Sequence, residues 1–236
     1  MSKGQIFHDQ PFRYNDSYSG REIVQLTNYL GHSNHLYFTD PCWFNDNKSM
    51  VFTSDRENQS NLFRYDLDTG RVMQLTDLEG RGRPGGCFSK ANGCHYFWWQ
   101  GVLYELDIET LEERVIYELP SDTVVGHRAS PTADGQYICA RLMEEIEEDK
   151  PAISFSYSRF REFFKAKPLS QIIRIEVETG DVEVIHEEHC YLGHINTSPT
   201  RPELLTFCHE GPWDQVDQRM WGLNILTGEV WKIRPQ

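Results

Sequence analysis

Residues 61–70 read Asn-Leu-Phe-Arg-Tyr-Asp-Leu-Asp-Thr-Gly, and they decide the fold class. Leu62 and Arg64 alternate with Phe63 and Tyr65, which makes a strand with two unlike faces. The closing Thr-Gly supplies a residue tolerant of positive φ where a hairpin must reverse. Upstream, Asn45-Asp-Asn-Lys-Ser-Met-Val-Phe-Thr-Ser54 reads as a polar turn entering a strand, and downstream Arg71-Val-Met-Gln-Leu-Thr76 reads as another.

The same order returns along the chain. Lys90-Ala-Asn-Gly-Cys-His-Tyr-Phe-Trp98 is followed by Val102-Leu-Tyr-Glu-Leu-Asp-Ile-Glu-Thr110 and Glu113-Arg-Val-Ile-Tyr117. A third copy starts at Ser130-Pro-Thr-Ala-Asp-Gly135, resumes at Gln171-Ile-Ile-Arg-Ile-Glu-Val-Glu-Thr-Gly180 and ends at Val182-Glu-Val-Ile185. A fourth has Glu203-Leu-Leu-Thr-Phe207, Met220-Trp-Gly-Leu-Asn-Ile-Leu-Thr-Gly228 and Val230-Trp-Lys-Ile233. A period of about 40–50 residues is the size of a propeller blade. One such sheet cannot bury both faces alone, so neighbours must stack around an axis.

The expected fold is therefore an all-β β-propeller forming a single partial domain over residues 1–236, with blades near 34–77, 85–118, 126–186 and 191–234. Ser19-Gly-Arg-Glu-Ile-Val-Gln-Leu-Thr27 copies the last strand of a blade with nothing before it, and reads as an orphan that closes a ring. Four blades lie at the bottom of the usual range of about 4–8, so further blades are expected to be missing at the C-terminus. An insertion near 143–170 splits the third blade. It opens on the acidic run Glu144–Asp149 and then places Phe160, Phe163 and Phe164 on one face of a basic helix stopped by Pro168. That helix reads either as packing against the propeller or as a cap that brings positive charge to an anionic ligand.

Net charge of −13 excludes a nucleic-acid partner, because phosphate binding needs a basic face. No stretch approaches the length of a membrane span, so no membrane partner is expected. Six scattered cysteines without a CxxC and an N-terminus without an apolar core predict reduced thiols in the cytoplasm.

The most unusual polar stretch is Phe207-Cys-His-Glu-Gly-Pro-Trp-Asp-Gln-Val-Asp-Gln-Arg-Met-Trp221, which carries His209, Glu210 and Arg219 in one connection between strands. Loops on a rigid scaffold are where binding groups concentrate. Tyr191-Leu-Gly-His194 and Gly126-His127-Arg128 precede the first strands of their blades, on the side that reaches a propeller's channel. His32 and His35 are spaced wrongly for a metal pair on one strand face, and His186 and His189 read as solvated.

Cys-His-Glu-Gly-Pro at 208–212 followed by Val-Asp-Gln-Arg-Met-Trp at 216–221 resembles the oligogalacturonate lyases. So do Tyr191-Leu-Gly-His194, Glu178-Thr-Gly-Asp-Val-Glu-Val-Ile-His186 and Leu111-Glu-Glu-Arg-Val-Ile-Tyr117. The resemblance implies a propeller of about seven blades. It also implies cytoplasmic action on oligogalacturonides by β-elimination, with a manganese ion. By that resemblance Arg219 is the catalytic arginine, and His209, Glu210 and His194 bind or position substrate. The family's catalytic histidine and its metal ligands would fall after Gln236, so no metal ligand and no activity are expected of residues 1–236 alone. A non-catalytic binding or scaffold propeller is the rival reading, and the oligomeric state is left open.

Overall fold

A computed structural model describes residues 2–121, 123–125, 128–144 and 158–234. Gly126, His127, most of the acidic run and the side chain of Phe160 lie outside the described residues. The chain forms β1 (Ile6–His8), then a hairpin of β2 (Phe12–Asn15) and β3 (Glu22–Gln25). Short strands β4 (Ser33–Asn34) and β5 (Trp43–Phe44) both pair with β6 (Ser49–Ser54), which continues into β7 (Asn61–Asp66) and β8 (Arg71–Gln74). The second sheet is β9 (Cys87–Ser89), β10 (Cys94–Trp99), β11 (Val102–Asp107) and β12 (Glu113–Glu118). In the third, β13 (Thr123–Val125) and β14 (Ser130–Pro131) pair with β15 (Tyr137–Glu144). Helix α1 (Ser158–Ala166) then precedes β16 (Leu169–Glu176) and β17 (Val182–His189). The fourth sheet is β18 (Leu192–Thr197), β19 (Leu204–His209), β20 (Met220–Asn224) and β21 (Val230–Lys232).

All pairings are antiparallel and each sheet runs outward in chain order, which gives an all-β, propeller-like architecture. The segment around 19–27 contributes β3, which pairs with β2, while β1 adds an outer strand to the first sheet by pairing with β8. The hairpin turns share one physical device. Asp66 Oδ1 accepts from both the N–H and the hydroxyl of Thr69 at 2.9 Å, and Gly70 follows at φ +67°. The side chains of Asp16, Asp107, Glu176 and Asn224 cap equivalent turns. These residues favour turns because their side chains satisfy the reversing backbone. In the turn after Asp107 the left-handed position falls to Leu111, at φ +64°.

Strand alternation divides the core into layers between successive sheets. In β10, Phe97 and Trp99, with Phe88 of β9, face Phe44 and Phe63 of the first sheet, whereas Cys94, Tyr96 and Trp98 join Ile138, Ala140 and Ile173 of the third sheet. In β16, Ile173 and Ile175 belong to that second layer, while Ile172 packs with Leu192, Phe207 and Leu223 of the fourth sheet. Each fully buried side chain of this size contributes about 1.5–3 kcal/mol of transfer free energy. The first strands meet one another: Ser130 Oγ lies 3.0 Å from Thr197 Oγ1, and the Phe88 N–H donates to Pro41 O at 2.8 Å. They border a cavity of about 400 Å³ whose lining mixes Thr39, Ser89 and Asn196 with Pro41, Phe88 and Pro131.

Candidate functional site

The connection from β19 to β20 is pinned at its mouth. The His209 N–H donates to Arg219 O at 2.9 Å and the Glu210 N–H donates to Tyr191 O at 2.8 Å. Phe163 of α1 stacks on Tyr191, and Phe164 lies against Gly211 so closely that a Cβ there would have no room. The described part of the helix thus packs against the loop, with Phe163 and Phe164 half-buried and Arg161 and Lys165 exposed.

Glu210 is the hub. Its side chain is 3% exposed, with Oε1 at 3.1 Å from His194 Nε2 and Oε2 at 3.0 Å from the Arg219 guanidinium. Arg219 is 40% exposed, so one edge is tethered and the rest faces solvent. His194 sits at φ +50° in a bulged part of β18, and its Nδ1 lies 3.3 Å from the Tyr37 hydroxyl. The Glu210 contact is an ion-pair approach to Nε2, and the Tyr37 hydroxyl is the hydrogen-bond partner of Nδ1. Burial pushes the Tyr37 phenol above its ordinary range, against the opposing pull of Arg128, which keeps that hydroxyl protonated. Arg128 stacks over the Tyr37 ring at 5.0 Å and is held by Asp40 and, at 2.7 Å, by Asn196 Oδ1. Asn196 Nδ2 in turn donates to His194 O at 2.8 Å. Burial pushes the Asp40 carboxyl up, with Arg128 opposing. Side chains of the first, third and fourth sheets therefore meet at one point beside that cavity.

His209 points elsewhere. Its Nε2 lies 2.9 Å from Glu188 Oε1, the same oxygen that His186 Nε2 approaches at 2.8 Å, and its ring stacks on Trp221 at 4.9 Å. It lines a cavity of about 270 Å³ with Phe164, Cys190 and Trp221. Burial works against the charged form of each partner. The imidazole is nonetheless raised to about 9 by Cys190 and Glu188, and the Glu188 carboxyl is lowered to about 2 by His186 and His209. His209 therefore adds stability below its ordinary 6.5 that is lost as pH rises through about 9. Glu188 adds stability above its ordinary 4.5 that is lost as pH falls towards about 2. The melting-temperature difference between the natural protein and His209→Gln should be flat from pH 4.5 to 6.5 and shrink towards pH 9. Parallel melting curves across that range would contradict the assignment.

The sequence model of a family described as oligogalacturonate lyase matches residues 1–235. The chain belongs to that family. The oligogalacturonide lyase of Pectobacterium atrosepticum is 32% identical over 99% of this chain and 60% of its own length. A solved oligogalacturonate lyase in complex with manganese superposes with a TM-score of 0.90 at 28% identity, covering 100% of this chain and 62% of its own. TolB from Acinetobacter baumannii, at 18% identity and a TM-score of 0.57, shares the fold alone. This oligogalacturonate lyase family chain thus spans about 60% of the curated relative's length.

The side chains of this site do not offer manganese a ligand set: among the described residues no group of three or more His, Cys, Asp or Glu side chains is placed to hold a metal ion. Glu210, the carboxylate nearest an imidazole in the site, already carries the Arg219 cation, and both nitrogens of His194 are engaged. His32 pairs with Asp55 and His35 with Cys42, so these two imidazoles do not share a site. His186, expected to be solvated, is instead half-buried against Glu188. Of the residues singled out from the sequence, His194, Glu210 and Arg219 come together and His209 does not. Tyr37, Asp40 and Asn196 were missed; nothing local marks them, because Tyr37 reaches His194 across 157 residues of chain. No helix among the described residues is long and apolar enough to cross a membrane.

Proposed function

We propose that this chain supplies the first four blades, and the carboxylate-binding arginine, of a cytoplasmic oligogalacturonate lyase propeller of about seven blades. Four blade-sized sheets, beside the two-stranded β2–β3 hairpin, over about 60% of a relative's length support that blade count. Six free cysteines support a reducing compartment. The observation that carries the activity is the Arg219 guanidinium, exposed on one edge and oriented by buried Glu210.

In β-elimination, a base takes the proton from the carbon bearing the uronate carboxylate. The electron pair becomes the new carbon–carbon double bond, and the glycosidic oxygen leaves from the next carbon. The carboxylate makes that proton hard to remove unless its charge is countered where it develops. Arg219 supplies that charge, and Glu210 with His194 keeps it in place. Neither imidazole is assigned the proton: His194 has both nitrogens occupied, and His209 faces the cleft between the third and fourth sheets.

Absorbance of the unsaturated uronate, followed after adding digalacturonate and manganese, tests this reading. The chain joined to its remaining blades should form product, and residues 1–236 alone should not. Product from residues 1–236 alone would place both the base and the metal site within these four blades and overturn the reading.

A further inference from the structure

Phe38 is the feature that the proposed function leaves unused. Its ring is 76% exposed, although it stands beside a network of charged and hydrogen-bonded side chains. It packs on Tyr37 with ring centroids 4.4 Å apart and lies 6.3 Å from the His194 ring. Tyr37 is itself 41% exposed, and its ring cannot swing freely. Arg128 covers it at 5.0 Å, and its hydroxyl meets His194 at 3.3 Å. Arg128 stiffens the ring: its Nη2 is held by Asp40 and Asn196, while its Nε and Nη1 are buried without a hydrogen-bond partner. Both Glu210 and Arg219 lie close enough to act on the Tyr37 phenol electrostatically. The result is two exposed aromatic rings on a braced support, next to an arginine with a free edge.

A flat apolar surface beside a cation matches a uronate sugar. The pyranose ring presents a C–H-rich face, and its carboxylate leaves from the rim. Resting on the oligogalacturonide reading above, the geometry points to Phe38 and Tyr37 as a stacking subsite for a galacturonate ring, with Phe38 the main contact. Exposed aromatics favour such roles because they offer large contact area at low conformational cost. Since Phe38 is exposed, the fold does not depend on it and the variants below should fold normally.

Titration calorimetry with digalacturonate, on the natural protein and on four variants, tests the subsite. Phe38→Ala should raise the dissociation constant about tenfold, the scale of one aromatic contact. Phe38→Tyr should restore it, and Phe38→Leu, apolar but not flat, should not. Arg219→Ala should weaken binding separately. If Phe38→Ala binds like the natural protein while Arg219→Ala does not, the stacking subsite is overturned and the arginine reading stands. If Arg219→Ala binds normally while Phe38→Ala does not, the arginine reading falls and the subsite stands. Failure of the natural protein to bind digalacturonate overturns both.

Discussion

Arg219→Ala should lower kcat/KM for digalacturonate by about 10²–10³, measured in the complete propeller as growth of the unsaturated product. The size follows from what the side chain does. A preorganised cation at a developing charge is worth far more than the same contact in water, because it needs no reorganisation during the reaction. Arg219 is preorganised by a carboxylate that is 3% exposed, while its own side chain is 40% exposed and accessible to a ligand. Its loss also leaves Glu210, 3% exposed, without its cation, so Arg219→Ala should cost the fold more than the ~0–1 kcal/mol of an exposed ion pair and lower the melting temperature accordingly. Arg219→Lys keeps the charge but loses the planar fork that can serve Glu210 and a substrate carboxylate together, and should recover only part of the loss. Turnover of Arg219→Ala near that of the natural protein would remove the central support for the assignment.

The all-β class and the positions of the hairpins were readable because they are written locally. Asp66-Leu-Asp-Thr-Gly70 carries its own turn, and a strand's two faces show as period-two alternation. The loop at 208–221 stood out for the same reason, since its polar residues interrupt that rhythm. What the residues did not disclose is direction. His209 and Glu210 are adjacent, yet successive side chains leave a strand on opposite faces, so one meets Glu188 and the other Arg219. Nor did any local pattern mark β1, whose pairing with β8 joins Phe7 to Val72 across the chain. The brace on Tyr37 is likewise a product of topology: Arg128 and His194 reach it only because the first strands of the sheets converge.

Glu210→Ala carries the second large effect, and it separates positioning from simple presence of the arginine. Glu210 follows β19, its N–H is fixed to Tyr191 O at 2.8 Å, and its side chain lies over Gly193, where a Cβ would sit 2.7 Å from Glu210 Cγ. Gly193 thus leaves the space that the carboxylate fills, and the carboxylate aligns Arg219 with His194. Removing it frees the guanidinium and leaves His194, at φ +50°, without its Nε2 partner. A misplacement of about 1 Å at a reacting group costs about 10²-fold, and a fall of that order in kcat/KM is expected with Arg219 still present. The stability loss should be about 2 kcal/mol, below the 3–5 kcal/mol of a fully buried pair, because the orphaned Arg219 is 40% exposed and can turn to water. Glu210→Gln keeps the volume and an acceptor for Arg219 but not the charge, so its kcat/KM should fall between the two. A melting-temperature drop with kcat/KM unchanged would reduce Glu210 to a structural residue and leave Arg219 oriented by something else.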